Sequence, residues 1–455
     1  MITNDGVCSV GANESRPWPT IVLSGLIFLF TLVDDTSANI VKSKTLTRFH
    51  DPVIVKTSFL RKLPTRKTAN YRLYSAHQGT LFPIPFQFDE RDGKDEVVFP
   101  DTNDSPEFSF DGNDELVFMA KDLGDRIAPS LLPTKKNVAL EIEVTDPVNA
   151  SQGWTYLVHF PEIPPLRSTV RYATFNVDTN QAQALFYTMD YFPGRNFFTG
   201  MRIHAAAAGS GANILDRMKL RIQPTFSLAV TTWSPLFTEQ DMTVIIDGVK
   251  NGPVRAIRRV RQSLDLGTFI PDIPNGTTYT YFYFSSFITP SKFHIPWLVL
   301  KLLREFRFAG VSDFRRNAIG MQYWDPANAQ GLTFTGSNAS KVNTSEDHEW
   351  YVVSGKAGTH LQAFIIPEKW RQWGIARGTV FLDDDRASSR EGREDDPGTH
   401  AAGYSLLNMT NLREPGTYDM KMAVVILPHP YRLGDEQEPL AMIKQPLVTK
   451  VKVIP

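Results

Sequence analysis

The sequence predicts an all-β protein, a large antiparallel β-sandwich of supersandwich type with one amphipathic helix packed outside it. Three observations carry this expectation. Apolar and polar residues alternate with period two along most of the chain after residue 38, as in Val138–Thr145 and Trp154–Phe160. Glycine and proline, 29 and 31 of 455 residues, interrupt these runs often enough to keep the segments short. Phenylalanine, at 30 residues, leads an aromatic content that suits sheets better than helical bundles.

The first 38 residues stand apart as a signal peptide or N-terminal anchor. Ile21–Val33 is apolar but shorter than the roughly 20 residues that a spanning helix needs, which fits the core of a signal peptide. Arg16 is the only basic residue before it, and Thr36-Ser37-Ala38 offers a small-residue cleavage site. A retained anchor and a buried apolar strand are the other readings. A cleaved leader implies a secreted or periplasmic protein. It would also remove Cys8, the only cysteine, and with it every thiol-based chemistry.

Residues 39–165 form the expected N-terminal β region. Pro52–Thr57 and Tyr71–Tyr74 read as strands, and the prolines of Gly79–Phe88 favour an edge or irregular strand. The acidic stretch from Ile84 to Arg126 follows. Gly93-Lys-Asp-Glu-Val-Val-Phe99 is echoed by Gly112-Asn-Asp-Glu-Leu-Val-Phe118, so carboxylates cluster twice in a glycine turn before a β run. Asp89, Asp92 and Asp95 in the first turn, with Asp111, Asn113 and Asp114 in the second, are candidate calcium ligands, because hard cations take converging oxygens. Neither turn has the EF-hand spacing, and Asp and Gly also simply make turns.

Residues 166–455 form the expected main sandwich. Val244–Arg255 reads as a strand, a glycine turn and the start of a second strand, Val254–Arg261. Alternation puts Arg255, Arg259 and Arg261 on one face of the second strand, and Tyr279, Tyr281 and Tyr283 on one face of the next. Arginine forks suit carboxylates, and tyrosine rings suit sugar faces. Ile295–Phe308 is the expected helix, with Pro296 in its first turn and Trp297, Leu300 and Phe308 along one side. Strand signals resume from Gly331 to the end, interrupted by a charged loop, Asp383–Gly398, that reads as solvated.

Gln87-Phe88-Asp89, Asp92-Gly93 and Asp95–Phe99 resemble an uncharacterised family of secreted bacterial β proteins with the N-terminal signature P-x-Q-x-D-D-x-D-G-D-G-x-x-D-E-L-V-F. Asn251–Arg255 resembles a Gly-Pro-Val-Arg strand start in that family. Here the first loop is shortened, and the better Asp-Glu-Leu-Val-Phe copy comes later, at Asp114–Phe118. The resemblance implies a layout similar to the β-supersandwich domains of carbohydrate-active proteins.

Together these readings predict a carbohydrate-related protein that binds or cleaves an acidic polysaccharide, as a lyase or glycoside hydrolase if it is an enzyme. The alternative is a non-catalytic surface or assembly protein with structural acidic turns. No Gly-x-Ser-x-Gly or His-Glu-x-x-His motif is present, so no catalytic residue is singled out. Calcium is the only cofactor expected. A net charge of −1 gives no reason to expect nucleic acid or an anionic membrane surface as partner.

Overall fold

A computed structural model of the chain describes residues 40–60, 63–65, 67–99, 110–133, 138–228, 230–264, 273–336, 340–384 and 400–454. The expected leader with Cys8, and most of the charged loop after Asp384, lie outside the described residues.

The architecture is all-β and antiparallel. A nine-stranded sheet runs in the order 242–251, 256–264, 273–282, 286–295, 416–427, 358–365, 350–355, 322–324 and 332–333. A seven-stranded sheet runs 231–233, 215–228, 303–314, 400–407, 376–383 and 340–343, with 237–238 also paired to 215–228. The main core lies between them, where Phe226, Phe314 and Phe381 of one sheet meet Phe282, Phe287 and Ile426 of the other. A four-stranded sheet over residues 173–203 closes one side of this core with Phe175, Tyr187 and Met201. Alternation explains the layering, because successive side chains point to opposite faces. Thus Val424 and Ile426 face the main core, while Val425 and Leu427 pack under the Gln437–Lys444 helix on the other side.

The N-terminal region builds a three-stranded sheet in the order 52–56, 115–119, 87–89, and a five-stranded sheet. The five-stranded sheet takes its edge from the other end of the chain: Val448–Ile454 pairs with Ala139–Thr145 in register. The region expected over 39–165 therefore includes the last strand of the protein.

The expected helix is corrected. Only Trp297–Leu302 is helical, and Leu303–Phe314 is a strand. Leu303, Phe306 and Phe308 lie opposite Phe226, Pro224 and Ile222. The same residues suit a helical face or a strand face, and a long partner strand decided the matter. The short helix is the link that carries the chain from the nine-stranded to the seven-stranded sheet.

Candidate functional site

The sequence brings two sets of chemistry-bearing residues forward, and the fold puts them against each other. Cross-strand register places Tyr279 opposite Arg259 and Tyr281 opposite Ile257, so the arginine and tyrosine rows share one face of the nine-stranded sheet. The acidic stretch lies on that face. Val97 and Phe99 pack on Ile257, Tyr279 and Tyr281. The Arg259 guanidinium sits 4.7 Å over the Phe99 ring and the Arg255 guanidinium 4.7 Å over Tyr281.

Arg255 is the centre of this seam and is only 1% exposed. Its Nε donates to Asp89 Oδ2 at 2.8 Å, its Nη2 to Glu115 Oε2 at 2.8 Å and its Nη1 to the Tyr283 hydroxyl at 3.1 Å. Gln87 Oε1 accepts the backbone N–H groups of Val254 and Arg255, both at 2.9 Å. Lys250 Nζ reaches Asp89 Oδ1 at 3.0 Å, and Arg91 Nη2 reaches Glu115 Oε2 at 2.7 Å. Burial pushes Asp89 and Glu115 up, but Arg255, with Lys250 at Asp89 and Arg91 at Glu115, outweighs it and holds both carboxyls below their ordinary values. Two glycines make room for the contact. A Cβ on Gly252 would lie 2.1 Å from the Gln87 side chain, and one on Gly248 would lie 2.5 Å from the Phe99 ring.

The remaining carboxylates of the stretch bind locally. Asp92 Oδ1 accepts from the backbone of Lys94 and Glu96, and Asp114 accepts from the backbone of Arg91 and Asp111. Asp111 Oδ1 accepts from Asn113 N, whose side-chain amide donates to the carbonyls of Arg91 and Asp92, tying one turn to the other. Asp95 pairs with Lys56 at 3.0 Å. Among the described residues no three His, Cys, Asp or Glu side chains converge as a metal site. Of the residues proposed for calcium, Asp89 and Asp114 have both carboxylate oxygens engaged, by Lys250 and Arg255 and by the backbone of Arg91 and Asp111, so these two are not free to converge on a cation. For a saccharide to reach Arg255, the acidic stretch would have to leave. Arg259 and Arg261 share Asp247, at 2.9 and 2.6 Å, and Arg261, 56% exposed at its side chain, is the most open of the three arginines.

Two hollows remain. One, of about 350 Å³, is polar and lies where Thr47–His50 and Asp146 meet the segment 427–441. Its charges are engaged from within. Arg48 pairs with Asp51 and Asp146 and donates to the Gln445 carbonyl, and Glu438 accepts the backbone N–H groups of Phe49 and His50.

The other, of about 290 Å³, lies between the two large sheets. The seven-stranded sheet contributes Met218, Leu220, Ile222, Phe226, Phe306 and Phe308. The facing wall carries Met242, Leu264, Phe293, Ile295, Met420 and Met422. Among the described residues that line it there is no Asp, Glu, Lys, Arg or His. Most of its few polar groups sit on the nine-stranded sheet, joined by Asn196 from the turn between strands 187–191 and 198–203. Asn196 donates to Gln262, Gln262 to Thr278 and Thr278 to Ser291, at 3.0–3.3 Å. Five of the eleven methionines, Met218, Met242, Met409, Met420 and Met422, line this one cavity. That concentration was the available signal, but in sequence they are scattered over two hundred residues, each an ordinary apolar strand or turn position.

No protein-family model matches the chain, and no curated protein matches it. Solved structures show remote likeness. A glycosyl hydrolase family 38 protein from Enterococcus faecalis is 9% identical over 91% of this chain and 47% of its own, with a TM-score of 0.44. An α-mannosidase from Enterococcus faecalis V583 is 8% identical over 90% of this chain and 45% of its own, with a TM-score of 0.42. The Slr1438 protein from Synechocystis sp. PCC 6803 is 10% identical over 59% of this chain and all of its own, with a TM-score of 0.36. The chain spans about half the length of the two enterococcal proteins. Likeness of this degree says nothing about what the chain binds.

Proposed function

We propose that the chain is a binding protein for an apolar, chain-like ligand of the acyl type, held between its two large sheets. The observation that carries this is the 290 Å³ apolar hollow between the two large sheets. Protein cores are close-packed, so a hollow of this size with an apolar lining is suited to an apolar ligand. A hydrocarbon chain would contact this lining along its length, and at about 30 Å³ per water-sized group the space takes roughly ten such groups. Methionine walls adapt to ligands of differing shape. The Gln262, Thr280, Thr289 and Ser291 side chains on one wall supply uncharged hydrogen-bonding groups for a polar end. The absence of acids, bases and histidines from the described lining favours binding over turnover there.

The carbohydrate reading keeps only Arg261, Tyr279 and Tyr281 as partly open groups, and the geometry favours the cavity. Export, expected from the leader, belongs to this proposal as the setting of an extracytoplasmic carrier.

The test is titration of the delipidated protein with a fluorescent fatty acid, beside native mass spectrometry for co-purified lipid. Saturable one-to-one binding that is lost on filling the cavity with Met420→Trp supports the reading. No binding by either method, with the protein folded, sinks it.

A further inference from the structure

We infer that the end of the sandwich around the 297–302 helix is a docking surface for an anionic lipid bilayer, through which the ligand of the cavity enters and leaves. This rests on the acyl-binding reading for the ligand but on different residues for the surface.

Two chain reversals stand side by side at this end. The 215–228 strand turns back into 231–233, and the 286–295 strand passes through the helix into 303–314. Phe226 lies opposite both Trp233 and Leu303, which fixes the two reversals as neighbours. Each exposes apolar side chains. Val230 is 97% exposed, Trp297 60% and Trp233 36%. Each is also continuous with the cavity wall. Trp233 stacks on Phe226 with ring centroids 5.8 Å apart, and the helix that exposes Trp297 turns Val299 inward, where Phe226 and Val299 both line the hollow. An apolar rim joined to an apolar hollow is a route for a hydrocarbon chain that avoids water.

Charge selects the partner. Residues 223–236 contain no charged side chain. Residues 291–310 contain Lys292, Lys301, Arg304 and Arg307 against one acid, Glu305, and all four cations are exposed; Lys292 lies opposite the exposed Asp419, which leaves Lys301, Arg304 and Arg307 as the cationic cluster. Exposed tryptophans between an apolar tip and a cluster of lysine and arginine are the composition that settles at an anionic bilayer interface. A protein partner or a second copy would have to answer the same cations with acids. Among the described acids of this chain, Asp89 and Glu115 are already bound to Arg255.

The experiment uses the full chain with Cys8→Ser and Val230→Cys, carrying an environment-sensitive dye at position 230. The control carries the dye at Ile163, which is 93% exposed and lies outside this end. Vesicles of phosphatidylcholine with and without phosphatidylglycerol are added. The expected result is a blue shift at 230 and not at 163, with phosphatidylglycerol only, and at least tenfold weaker vesicle affinity with Lys301→Glu and Arg304→Glu together. No shift at 230, an equal shift at 163, or a shift at 230 caused by self-association without vesicles overturns the inference. The same labelled variants are titrated with the fatty acid in solution. Binding there without vesicle docking sinks the surface alone, and docking without fatty-acid binding sinks the cavity reading alone.

Discussion

Two regions of this molecule invite comparison, the ionic seam under the acidic stretch and the apolar hollow between the sheets. The seam holds the residues that look most like a binding site in sequence, and it is filled from within the chain. The hollow is built from residues that look like ordinary core, and its described lining is almost wholly apolar. Charged groups are costly to bury alone, so a fold that buries Arg255 must also bring Asp89 and Glu115 to it. Apolar groups make no such demand. Where two sheets diverge, nothing local forces their side chains to meet.

The comparison can be broken most forcefully at Arg255. Arg255→Met leaves Asp89 and Glu115 buried without their main partner and is expected to cost about 3–5 kcal/mol, read as a lowered midpoint in urea denaturation. Replacing Asp89 and Glu115 by apolar residues as well should restore part of the loss. If the single variant is as stable as the wild type, the seam does not hold the N-terminal region to the sheet.

Acid should act on the seam and the core before it touches the hollow. Burial pushes His360 and His50 down to about 4, so each is neutral in the fold and charged in the unfolded chain below about 6.5. Their contribution is present above pH 6.5 and lost as pH falls through 4, and the lowered Asp89 and Glu115 lose theirs lower still. His360→Phe should flatten the slope of stability between pH 6.5 and 4 by on the order of 3 kcal/mol. An unchanged slope would show that His360 titrates normally.

The hollow is sharpened by filling it. Met420→Trp should abolish fatty-acid binding while leaving the melting temperature equal or higher, because the larger side chain adds apolar contacts there. In the wild type, fatty acid at a hundred times its Kd should stabilise the fold by about 2.7 kcal/mol, seen as a higher melting temperature in calorimetry. The smallest effect expected is none at all: a chelator should leave the melting temperature unchanged, since both oxygens of Asp89 and of Asp114 already have protein partners. A drop on chelation would restore calcium to the seam.

Each of the rows at 255–261 and 279–283 was legible as one face of its own strand, because alternation is local, but that the two rows share a face was decided by the pairing of 256–264 with 273–282. Their partner was not legible, since Asp89 and Arg255 are 166 residues apart and nothing in either segment names the other. The helix at 295–308 was misread in length for the same kind of reason. Leu303, Phe306 and Phe308 satisfy both periodicities until the 215–228 strand lies beside them.

Period-two alternation with glycine and proline breaks was by itself enough to determine a layered antiparallel protein, because side-chain direction along a strand follows from backbone geometry alone. Where its charges ended up was a tertiary decision. A net charge of −1 concealed their separation, with acids drawn into the Arg255 seam at one place and lysines and arginines left exposed around the 297–302 helix at another. Composition adds charges without regard to position, whereas Coulomb energy and burial depend on distance, and distance is set only when the chain folds.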